Sequence, residues 1–69
     1  MQTQIICKVI GTEKTQKGLM FIADDKFTFE DLILWVYHNC PGDRKITIEQ
    51  NEIFVQYDER IEIYSIERK

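Results

Sequence analysis

Apolar residues recur with a period near two at both ends of this chain and with a helical period in the middle. The helical stretch is Thr28 to Cys40. At 100° per residue, Phe29, Leu32, Ile33, Val36 and Cys40 form one stripe able to cover a sheet. Thr28 is placed to cap this helix, Glu30 and Asp31 put negative charge in its first turn, and Asn39 to Gly42, with Pro41 among them, closes it. Leu34 and Trp35 fall outside the stripe, on the side shared with Asp31 and His38. A domain with one core has no evident use for a Leu-Trp pair there, which points to a second contact; the alternative is a helix rolled so that Trp35 caps the sheet edge, or a loop over residues 11–18 folded across it.

Before the helix, Gln2 to Ile10 carries Ile5, Cys7 and Val9 on one face and Ile6 and Ile10 on the other. An apolar load on both faces predicts an interior strand or one with a covered back. Gly11 to Gly18 is polar and reads as a turn or loop, and Leu19 to Ala23 as a short second strand hairpinned to the first. After the helix, three strands are expected over Lys45 to Gln50, Ile53 to Tyr57 and Arg60 to Ile66, joined by tight turns. In the first of these Ile46 and Ile48 oppose Thr47 and Glu49; in the last Ile61 and Ile63 oppose Glu62 and Tyr64. One face is then expected to meet the helix and the other water or a partner. The predicted architecture is α+β: a single small domain over residues 1–69, ordered ββαβββ, with one helix packed on one face of an antiparallel sheet.

Composition narrows the class. Sixty-nine residues allow one domain. A chain of this size buries only roughly 60% of its unfolded surface, so association has much to add to its stability. Eleven isoleucines against a single alanine favour strands. The net charge of −3, with nine Lys and Arg scattered among twelve acids, lacks the basic footprint that nucleic acid demands. An RNA-reading sheet would also need exposed aromatics; Phe21 with Tyr57 or Tyr64 are the candidates, but they are expected on different faces. Two cysteines make no disulfide framework, the first ten residues show no cationic start or cleavage site, and no apolar run approaches a membrane span. A soluble cytoplasmic protein is the expectation.

The chemistry-bearing residues form no specific motif. Cys7 and Cys40 sit on expected core faces, where a cysteine behaves as a small hydrophobe, and His38 projects about 160° away from Cys40 on a helix. Structural zinc needs four ligands at recognisable spacing, which are not present. Asp24, Asp25, Glu30 and Asp31 cluster about the helix start, where the macrodipole accounts for them. Gly11, Gly18 and Gly42 are isolated and build no phosphate-binding loop. Glu49, Glu52, Asp58, Glu59 and Glu62 are candidates for an acidic strand face that would steer toward a basic partner.

By elimination the chain is expected to be non-enzymatic, without cofactor or metal. Its expected role is protein–protein interaction through Leu34, Trp35, Asp31 and His38, and secondarily through Glu49 and Glu62. In size and composition it resembles the small α+β proteins with which phages and mobile elements block host enzymes, a likeness that implies an inhibitor acting by steric occlusion. A homodimer and a small nucleic-acid-binding domain are the alternatives.

Overall fold

Alternating strand residues from both ends of the chain build one sheet, and the helical segment lies across it. The computed structural model describes residues 2–69. It contains β1 (Thr3–Ile10), β2 (Thr15–Ala23), α1 (Phe29–Asn39), β3 (Lys45–Ile48), β4 (Glu52–Gln56) and β5 (Ile61–Arg68). The strands form a single sheet in the order β2-β1-β5-β4-β3, with every neighbouring pair antiparallel. The α+β reading and the ββαβββ order are therefore correct, and β1, apolar on both sides, is an interior strand.

Local chemistry fixes the connections. A capping box opens α1: the Asp31 backbone N–H donates to Thr28 Oγ1 at 3.2 Å, and the Thr28 N–H donates to Asp31 Oδ2 at 2.9 Å. Arg68 donates to the Phe27 carbonyl at 2.7 Å, tying the helix entry to the end of β5. Beyond the helix, Gly42 adopts φ +94°, a region that side-chain-bearing residues rarely enter, so glycine is needed there to turn the chain into β3.

Several boundaries differ from the sequence reading, most by one residue; β3 stops at Ile48, two residues short of its expected end. β2 begins at Thr15, because a turn closed by Gly11 N–H to Lys14 O at 3.0 Å returns the chain at once. Thr15 to Gly18 gave no apolar signal because they lie on an exposed edge, where ladder hydrogen bonds rather than burial hold the strand. β5 also runs on to Arg68, two residues past its expected end.

The core lies between α1 and the sheet. Leu32, Val36 and Cys40 descend onto Ile5, Cys7, Ile53, Val55 and Tyr64, all buried. Antiparallel register determines who shares this face: Ile5 pairs with Ile66, Cys7 with Tyr64 and Val9 with Glu62. In β5 it is consequently Glu62, Tyr64 and Ile66 that lie under the helix. Ile61 and Ile63 are directed to the opposite side, the reverse of what hydrophobicity alone would assign to that strand.

Candidate interaction surface

The register that builds the core also fills the other face of the sheet with apolar side chains. Ile6, Ile10, Leu19, Ile22, Phe54, Ile61 and Ile63 occupy it. Leu19 and Ile22 come to share a face, despite their odd spacing, because a bulge opposite Ile5 and Ile6 takes up Met20 as an extra residue. No element of the described residues lies over this face. Leu19 is 51%, Ile22 56% and Ile10 36% exposed, while Phe54, Ile61 and Ile63 are half-buried. Ile6 is only 7% exposed. Lys17 Nζ lies 3.8 Å from Glu67 Oε2, and by register the line between them crosses Ile6, so the lysine stem shields that side chain.

Charge on this face is sorted along the strands. Successive rungs run Ile22–Gln4–Glu67, then Leu19–Ile6–Ser65–Glu52, then Lys17–Lys8–Ile63–Phe54–Thr47, and finally Thr15–Ile10–Ile61–Gln56–Lys45. Glu49, whose backbone N–H donates to the Glu52 carbonyl at 2.8 Å, joins the glutamate end. Glu49, Glu52 and Glu67 thus lie in or beside the first two rungs of the face, and Lys8, Lys17 and Lys45 in the last two. Among the described residues Lys69, just past β5, adds a cation at the acidic end, where Arg68 belongs to the helix side.

The residues singled out from the sequence are distributed as follows. Leu34 is 59% exposed on the outer side of α1, with His38 and Asp31 also exposed there, Asp31 being held in the capping box. Trp35 turns inward instead. Its ring sits 5.1 Å from that of Phe21 and 5.8 Å from that of Tyr64, half-buried at the edge of the core. At 60° from Leu32 on the helical wheel it flanks the stripe, and a long indole reaches the sheet from there. Phe21 and Tyr64 lie on the same face, under the helix, not on different faces as expected, so neither is displayed for a base to stack on. Among the described residues Phe54 alone brings an aromatic ring to the open face. Nor does one acidic strand face form: Glu49 and Glu52 belong to the open side, Asp58 and Glu59 to a turn, and Glu62 to the helix side.

Glu62 has a structural partner set. The Cys40 thiol donates to Tyr64 Oη at 3.4 Å, Tyr64 donates to Glu62 Oε1 at 2.9 Å, and Arg60 Nε donates to Glu62 Oε2 at 2.8 Å. The chain of donors satisfies a phenol and a thiol that the core would otherwise leave unpaired. Burial raises the Cys7 thiol above its ordinary 9.0, against a hydrogen bond with Tyr64 that acts in the opposite sense. Burial also raises Tyr64 well above 10.0, and the Cys40 hydrogen bond adds to it. A thiol held protonated is a poor nucleophile. No group of three or more His, Cys, Asp or Glu is arranged to hold a metal among the described residues.

These shifts carry a pH dependence of stability. Cys7 and Tyr64 keep their protons in the folded chain at a pH where the unfolded chain releases them. The stability they confer is complete below about pH 9 and is lost as the pH rises beyond it, at up to about 1.4 kcal/mol per pH unit for each group. The urea midpoint is expected to fall steadily above pH 9, and less steeply in Tyr64→Phe. A midpoint flat to pH 11, or an unchanged slope in the variant, contradicts this assignment.

No family model, curated protein or solved structure matches the chain. No helix among the described residues is long and apolar enough to cross a membrane.

Proposed function

We propose that this chain is a non-enzymatic protein–protein interaction module that docks through the open face of its sheet. The observation that carries the reading is the row of seven apolar side chains with no layer above them. Natural antiparallel sheets that face water on one side place polar residues there, and a contiguous uncovered apolar surface marks a contact. The helix surface around Leu34 offers a smaller patch once Trp35 is turned into the core. Docking buries these side chains and closes the face to any other contact.

The test compares two variants in affinity capture from nuclease-treated extract of the encoding organism. Leu19→Glu with Ile22→Glu changes two exposed side chains, so the fold is expected to survive within about 1 kcal/mol while capture is lost. Leu34→Glu is expected to capture as the parent does. Loss with Leu34→Glu and retention with the sheet variant would move the contact to the helix and overturn the reading. Capture seen only when nuclease is omitted would replace it with nucleic-acid binding.

A further inference from the structure

We infer that the occupant of the open face is a second copy of this chain, stacked sheet on sheet about a two-fold axis; the inference rests on the open face being the docking surface. The sorting of charge carries it. Three glutamates toward one end of the strands and three lysines toward the other make the face electrically self-complementary in a single sense. A two-fold axis parallel to the sheet, lying above its open face and running across the strands, lays two such faces together with their ends exchanged. Glu49, Glu52 and Glu67 of one copy then approach Lys8, Lys17 and Lys45 of the other. Such a contact is isologous and closed, so it stops at a dimer.

The remaining geometry agrees. Two sheets pack with their strands nearly aligned and about 10 Å apart, the inner side chains interdigitating. In this arrangement the apolar band running from Ile22 and Leu19 through Ile6 to Ile63, Phe54, Ile10 and Ile61 becomes a second core. Five strands at about 4.8 Å spacing, with central strands of eight residues, give a flat footprint of roughly 500 Å². Side chains standing off that plane raise the accessible area toward the roughly 800 Å² per partner of a stable interface. The Lys17–Glu67 pair within one copy spans the two ends of the face. In the dimer both groups acquire a partner from the opposite copy.

The experiment uses charge reversal in two complementary forms of the full chain. Lys8→Glu with Lys17→Glu makes the face predominantly acidic, and Glu52→Lys with Glu67→Lys makes it basic. By sedimentation equilibrium the parent chain is expected to be a dimer that weakens with salt. Each variant alone is expected to dissociate by about a hundredfold, since like charges then oppose one another across the contact. An equimolar mixture is expected to recover a dimer containing one of each, which a merely structural effect of the substitutions would not produce.

A parent chain that stays monomeric to high micromolar concentration overturns the second-copy inference; folded variants that fail to pair on mixing do the same. Neither result touches the docking reading, which stands or falls with the Leu19→Glu/Ile22→Glu capture. Should a charge variant fail to fold, zero-length carbodiimide coupling of mixed nitrogen-14 and nitrogen-15 parent chains serves in its place. Mixed-isotope links between the lysine end and the glutamate end support the stacking, and links only within one isotope refute it.

Discussion

Leu32→Ala is expected to lower the unfolding free energy by about 3–4 kcal/mol, within the range for emptying a fully buried leucine site. Leu32 has no exposed surface and lies at the centre of the core with Ile5, Val36, Ile53, Val55 and Tyr64. The cost depends on how far neighbours can close the gap, and here they are restrained. The capping box anchors the helix start, Arg68 holds the Phe27 carbonyl, and Arg44 donates to the Gly42 carbonyl beyond the helix end. A domain of this length has a total stability of roughly 3–10 kcal/mol, so the variant approaches or crosses its unfolding threshold at room temperature. Urea denaturation followed by circular dichroism measures it; a loss below about 1 kcal/mol would mean that α1 is free to settle onto the sheet.

Trp35→Ala is expected to cost about 2–3 kcal/mol, somewhat less than a fully buried indole. Its neighbour sets the contrast: Leu34→Glu is expected to stay within about 0.5 kcal/mol. The two residues are adjacent in sequence and differ in direction. The indole bridges Phe21 at the β2 edge to Tyr64 at the centre of the sheet, with Phe27 a further 6.0 Å from Phe21 in an edge-on arrangement. Removing it takes away the aromatic contact between the helix and Phe21 of the outer strand, which is expected to loosen the β1–β2 hairpin as well. Equal stability losses in the two variants would place Trp35 at the surface after all. The result also decides how binding experiments are designed, because a combined Leu34/Trp35 variant confuses lost contact with lost fold.

Much of this was legible in the chain. Thr28 and Asp31 announce the helix start, because capping uses groups three residues apart and needs no tertiary information. The order of strands and helix followed from apolar rhythm alone, and Ile6 and Ile10 behind Ile5, Cys7 and Val9 correctly marked β1 as interior. Three features were out of reach. The edge segment Thr15 to Gly18 is polar because it is exposed, so periodicity had nothing to detect. Met20, as a bulge residue, shifts the phase of β2 and brings Leu19 and Ile22 to one face, which no regular alternation predicts. In β5 Ile61 and Ile63 face outward while Glu62 and Tyr64 go under the helix, because Tyr64 finds hydrogen-bond partners in Cys40 and Glu62 that become neighbours only on folding. The candidate surface consists largely of residues whose facing depended on these last two features. It was therefore hidden from periodicity, which displays only the outer side of the helix.

The pairing of β1 with β5 joins the two ends of the chain through Ile10 with Ile61 and Thr3 with Arg68. The β1–β2 hairpin and the β3–β4–β5 meander are local and can form early, but their union encloses a loop of about fifty residues. Topologies dominated by such distant contacts fold slowly. Until the loop closes, β1 and β5 each present a bare inner edge open to the wrong strand from another molecule. Refolding is thus a contest between a unimolecular closure and a bimolecular error, and dilution favours the first over the second.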